Sequence, residues 1–124
     1  MIAGLGIDMI EVERLEKKIS RESGFRELVF TPGEIQYCES MPNRYEHYAA
    51  RFAAKEAYLK ALGTGWAAGT AFNEIGIVND ALGKPGIVLY GNTKEHFSNT
   101  GFTQISVALT HLKQVASAVV IIEK

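Results

Sequence analysis

A chain of 124 residues that is 47% hydrophobic and 22% charged has the makeup of one globular domain with a modest core, so residues 1–124 are read as a single domain. Its 13 basic and 14 acidic residues exclude a strongly basic nucleic-acid binder and leave recognition to local patches. The apolar opening at 2–10 contains Asp8 and lacks a basic leader, and the run at 115–122 is far too short to span a bilayer. With the lone Cys38 unable to form an internal disulfide, these features predict a cytoplasmic protein with no membrane or nucleic-acid partner.

Residues 1–8 alternate weakly and read as a strand. Asp8-Met9-Ile10-Glu11 then has capping-box spacing, predicting a helix from there to about residue 22 with Val12, Leu15 and Ile19 as its apolar stripe. A short helical turn follows at 25–30. Thr31-Pro32-Gly33-Glu34 is a second helix start, with threonine as cap and proline at the first helical position. The longest helix runs over 44–62, and Gly63 is placed as its left-handed cap.

The second half changes character. Strands are expected at 73–78 and 86–90 around the turn-rich 79–85, a short helix opened by an Asn92-to-Glu95 capping box, and a final hairpin of 103–111 with 115–122. The fold class is therefore α+β, an antiparallel-rich sheet packed against one long helix. In the last strand Val119 and Ile121 point one way and Val120 and Ile122 the other, so both faces call for burial. The long helix covers one; a neighbouring subunit is the simplest cover for the other.

Asp8 is a lone charge in an apolar strand, sharing its face with Gly4 and Gly6, which would leave open space beside the carboxylate. It reads as a helix cap, a metal ligand, or both. Glu56 falls on the helix side that carries Ala49, Phe52, Ala53 and Lys60. It reads either as an i,i+4 partner of Lys60 or, if it converges with Asp8, as half of a carboxylate pair suited to Mg²⁺ and a phosphate ligand. Arg44, His47, Arg51 and Lys55 share an arc of this helix, a solvated face or a polyphosphate site. Thr110 and His111 end a strand and offer a joint phosphate contact. Cys38, His47 and His96 lack zinc-ligand spacing, and there is no P-loop, GxGxxG or GxSxG.

Taken in order, Gly4-Leu5-Gly6-Ile7-Asp8, Arg51-Phe52-Ala53-Ala54-Lys55-Glu56-Ala57, Lys60-Ala61-Leu62-Gly63-Thr64-Gly65, Gly83-Lys84-Pro85 and Thr110-His111 resemble the small phosphopantetheinyl transferases of the holo-acyl-carrier-protein synthase family. The resemblance covers nearly the whole chain, and the block beginning at Arg51 is its most specific part. It implies the 4′-phosphopantetheinyl transferase fold, Mg²⁺ held by Asp8 and Glu56, and catalysis by Glu56 and Lys60. It places Arg51, Lys60, Gly63, Thr64, Gly65, Gly83, Lys84, Pro85, Thr110 and His111 around coenzyme A. It implies a homotrimer with active sites at subunit interfaces, and a transfer to an acyl carrier protein serine that serves fatty acid biosynthesis.

The proton acceptor stays open between Glu56, Glu34 and a metal-bound water. Two departures touch the nucleotide end: Ala108 stands where relatives commonly have serine, and Leu112 where threonine or aspartate is usual. Arg14, Lys17, Lys18 and Arg21 lie on one arc of the first helix, opposite its apolar stripe, and are the expected dock for an acidic carrier protein. The competing readings are a non-catalytic coenzyme A or carrier-protein binding module, and a structural trimer with surface salt bridges only.

Overall fold

The structure, a computed structural model, describes residues 1–63 and 70–124. In chain order the elements are β1 (Ile2–Glu11), α1 (Val12–Arg21), α2 (Phe25–Val29), α3 (Pro32–Glu39) and α4 (Arg44–Leu62). A 3₁₀ turn (Phe72–Glu74), β2 (Ile75–Asn79), β3 (Pro85–Leu89), α5 (Gly91–Ser98), β4 (Gln104–His111) and β5 (Val115–Glu123) complete the fold. Every strand pairing is antiparallel. The expected strands divide into two sheets, one ordered β1-β5-β4 and the other the β2-β3 hairpin.

Helix α4 is the axis of the molecule. Eleven of its 19 residues are buried, so it is a core helix enclosed on most sides rather than an amphipathic cover. Six of those residues are alanines, which keep its surface flat enough for close approach. It packs against β1 and β5, where Ala116, Ala118, Val120 and Ile122 are buried. Its end is as expected: Gly63 sits at φ 85° and its N–H bonds the Leu59 carbonyl.

Two expected caps are corrected. Asp8 lies inside β1, which stays paired with β5 as far as Glu11 opposite Val115, and α1 begins at Val12 without a side-chain cap. The long-range strand ladder there outweighs the local capping pattern. Asn92 does not cap α5 either. The helix begins at Gly91, and Glu74 from the 3₁₀ turn accepts from the Thr93 N–H at 3.1 Å and its hydroxyl at 2.8 Å. The Thr31 capping box is present on both sides, with Glu34 N–H donating to the threonine oxygen and Thr31 N–H to the glutamate.

The last strand does divide its faces. Val120 and Ile122 are fully enclosed, whereas Val119 and Ile121 are only half-buried. Beside these on β1 stand Leu5, Ile7 and Met9, each 63–66% exposed, so the outer sheet face is a continuous apolar surface.

Candidate active site

Gly4, Gly6 and Asp8 alternate onto the β1 face that meets α4. A Cβ at Gly4 would overlap the Ala61 carbonyl oxygen, and one at Gly6 the Ala57 carbonyl oxygen. The expected open space is therefore filled by the helix backbone itself. This close approach sets Asp8 against the side chains of α4. Lys60 Nζ donates to Asp8 Oδ1 at 3.0 Å and to the Ile7 carbonyl at 3.1 Å. Lys60 thus spans from helix to strand, and its described ion pair is with Asp8 rather than with Glu56. Burial, and then the charge of Asp8, push the Glu56 carboxyl above its ordinary value, with Lys60 opposing. The three side chains form one group: two hard carboxylate donors near enough to repel, and an ammonium side chain that is 55% exposed. Chemically they fit a hard divalent cation with a phosphate alongside. Glu56 also borders a largely apolar cavity of about 450 Å³ with Lys18, Phe25, Phe52 and Phe72.

A second group lies elsewhere on α4. Arg51 precedes Glu56 by five residues, about 140° around the helix. It is only 3% exposed, its guanidinium lies 4.2 Å from the Tyr37 ring centroid, and one terminal nitrogen donates to Asn79 Oδ1 at 2.9 Å. Its Nε has no hydrogen-bond partner among the described residues. Asn79 in turn donates to the Gly83 carbonyl, holding the β2-β3 turn, where Gly83 takes φ 88°. Asp80 Oδ1 accepts from the Leu82 and Lys84 N–H groups and tightens the same turn. Arg51, Asn79, Gly83, Pro85, His47 and His111 surround a cavity of about 220 Å³. Burial, then the neighbouring His111 and Arg51 charges, lower the His47 pKa, with Glu46 opposing.

Several expected residues are redistributed. Thr110 is exposed while His111 is half-buried, because successive β4 residues face opposite sides; they do not meet one ligand from one face. Ala108 shares the outer face with Thr110, and Leu112 is 67% exposed. Lys55, read as part of a phosphate-facing arc, is fully buried and bonds Glu34 Oε1 at 2.7 Å, the Phe72 carbonyl at 2.9 Å and the Ile75 carbonyl at 2.6 Å. Glu34 also accepts from the Thr31 and Ile77 N–H groups, which removes it as a proton acceptor for a substrate. Thr64 and Gly65 lie outside the described residues. On α1, Arg14, Lys17 and Arg21 are exposed; Lys17 pairs with Glu13 at 3.0 Å, and Lys18 lies 5.6 Å from the Phe25 ring centroid. Tyr37 and Asn79 carried no signal beyond helix and turn placement.

The family model described as the 4′-phosphopantetheinyl transferase superfamily matches residues 4–118. A holo-[acyl-carrier-protein] synthase from Cytophaga hutchinsonii is 45% identical, covering all of this chain and 99% of that protein. The chain belongs to the holo-acyl-carrier-protein synthase family. A second synthase, from Ruminiclostridium cellulolyticum, is 49% identical over 95% of this chain and 90% of its own length. Among solved structures, the Neisseria meningitidis synthase superposes with a TM-score of 0.91 at 31% identity, covering both chains fully. The Bacillus anthracis synthase, solved in complex with CoA (3′,5′-ADP), gives 0.82 at 34% identity, with all of this chain and 98% of that one covered. The α+β fold with antiparallel sheets is that of the family.

Proposed function

We propose that this chain transfers the 4′-phosphopantetheine group of coenzyme A to a serine of apo-acyl carrier protein, releasing 3′,5′-ADP. The observation that carries the reading is the Lys60–Asp8 ion pair where β1 crosses α4, with Glu56 close enough to feel both charges. Asp8 and Glu56 would hold Mg²⁺, for which two adjoining carboxylates are suited. Bound there, the ion would offset charge on the diphosphate. Lys60, held beside Asp8 and 55% exposed, would add a second positive charge at the same phosphates. The serine oxygen forms a bond to the β-phosphorus, the P–O bond to the leaving 3′,5′-ADP breaks, and its electron pair departs with that oxygen. The serine proton needs an acceptor. With Glu34 bound to Lys55 and to the Thr31 and Ile77 N–H groups, Glu56 or a water molecule would take it.

Arg51, His111 and the Gly83-Lys84-Pro85 turn would receive the nucleotide, with Gly63, Thr64 and Gly65 contributing around it; Thr110, on the other face of β4, would meet a nucleotide only from a neighbouring subunit. In one chain this cavity and the carboxylate pair open separately, and a homotrimer would join one subunit's cavity to the next subunit's pair. The exposed Leu5, Ile7 and Met9 beside Val119 and Ile121 support such an assembly. Arg14, Lys17, Lys18 and Arg21 would dock the acidic carrier protein. The Lys17–Glu13 pair is too exposed to compete strongly. The free Cys38 fits a cytoplasmic setting, and the transfer would serve fatty acid biosynthesis.

One assay tests these assignments: the mass of apo carrier protein after incubation with coenzyme A, Mg²⁺ and each variant. Asp8→Ala and Glu56→Ala should abolish transfer with circular dichroism unchanged. Arg14→Glu should raise the carrier-protein KM and spare coenzyme A binding. Near-normal turnover in both alanine variants would defeat the carboxylate assignment, and an unchanged KM in Arg14→Glu would remove α1 from the docking surface.

A further inference from the structure

Glu46 stands in the first turn of α4, and its Oε1 lies 2.8 Å from Nδ1 of His111 at the end of β4. The two side chains are 20% and 27% exposed, so the contact is partly shielded and its geometry is held by both elements. A carboxylate accepts only, so Nδ1 carries a proton and Nε2, across the ring, faces the cavity; a phosphate oxygen also accepts only, so it pairs with Nε2 when that nitrogen is protonated as well. His47 braces the same imidazole: the ring centroids are 5.0 Å apart, edge to face, and His47 Nε2 is tied to Asn43 Oδ1 at 3.1 Å. His47, His111 and Arg51 line one cavity, with the guanidinium of Arg51 fixed by Asn79 and Tyr37. This wall is thus clamped from behind at both His111 and Arg51, and Glu46 is the clamp on the histidine.

We infer that Glu46 is a positioning residue that orients His111 toward the phosphate-bearing end of the nucleotide, and so sets the preference for coenzyme A over dephospho-coenzyme A. This rests on the proposed use of the cavity for coenzyme A. Glu46 itself touches no ligand; it fixes which ring nitrogen faces the cavity and prevents the ring from turning away. A purely structural role is the competing account, since an acidic residue in the first turn of a helix also stabilises it. The two accounts separate through the conservative variant. The Glu46→Gln change keeps an oxygen acceptor for Nδ1 but loses the charge that favours the helix, whereas Glu46→Ala loses both.

The test measures kcat and KM for coenzyme A and dephospho-coenzyme A in wild type, Glu46→Gln, Glu46→Ala, His111→Ala, and Glu46→Ala combined with His111→Ala, alongside melting temperatures. Glu46→Ala should raise the coenzyme A KM about tenfold, the scale of one misplaced charged hydrogen bond, and leave kcat and the dephospho-coenzyme A KM within about twofold. Glu46→Gln should recover most of the coenzyme A preference despite any fall in melting temperature. Against a His111→Ala background, removing Glu46 should change nothing further in KM. Equal KM changes for both ligands, or a loss in Glu46→Gln that tracks melting temperature alone, would overturn the inference. An inactive wild type would instead remove the functional reading beneath it.

Discussion

Replacing Lys55 by methionine probes the buried ion pair that ties four elements together. Lys55 from α4 reaches Glu34 of α3, the Phe72 carbonyl of the 3₁₀ turn and the Ile75 carbonyl of β2, all with Nζ fully enclosed. Burial pulls the lysine pKa down, and the charge and hydrogen bond of Glu34 pull it back. Methionine fills the volume of the alkyl chain but leaves the Glu34 charge unpaired among the two N–H donors of Thr31 and Ile77. Breaking a buried pair in this way costs about 3–5 kcal/mol. For a domain whose whole stability is on the order of 10 kcal/mol, that is a third to a half of it. At roughly 4 °C per kcal/mol for this size, the melting temperature should fall by about 12–20 °C. Urea unfolding followed by circular dichroism measures the loss directly. The double variant Lys55→Met with Glu34→Gln should lose clearly less than the sum of the single variants, because neither leaves an uncompensated charge when both are gone. A single-variant loss below about 1 kcal/mol, or strict additivity in the pair, would refute the argument.

Glu56 gives a pH signature. Its carboxyl is raised in the folded state, so its contribution to stability is present at low pH and is lost as pH rises through the folded value. Without metal, Glu56→Gln should melt higher than wild type near about pH 7.5 and no differently near about pH 4; a lower melting point at the higher pH would contradict the burial argument. The exposed Ile7 tests assembly. Light scattering should give three times the mass of one chain for wild type and a smaller species for Ile7→Glu, and a monomeric wild type at micromolar concentration would defeat the trimer.

The parts legible in sequence are those fixed locally. The α4 helix, its Gly63 cap, the Thr31 capping box and the β4-β5 hairpin all follow from residues within a few positions of one another. The parts misread are decided by distant partners. Asp8 has the spacing of a cap, but β5 pairs with β1 beyond it and keeps the strand extended. Asn92 has the same spacing, but Glu74 supplies the carboxylate across space. A helical wheel places Lys55 beside Arg51 and cannot reveal that α3 and the 70–75 segment close over it. Gly4 and Gly6 were legible as a missing pair of side chains, yet what occupies the gap is the carbonyl side of α4. That same approach brings Lys60 onto Asp8, so the candidate site was visible as residues, while its ion pairing was not.

Group transfer changes the mass of the acceptor, so one measurement reaches the reaction itself. Purified chain is incubated with apo-acyl carrier protein, coenzyme A and Mg²⁺, with parallel samples lacking coenzyme A or containing a chelator, and the carrier protein is weighed by mass spectrometry. A gain of one phosphopantetheine group on a single serine is expected in the complete mixture, with 3′,5′-ADP released in equal amount, and no gain in either control. Carrier protein that stays at its apo mass in the complete mixture, or gains the same group with the metal chelated, would contradict it.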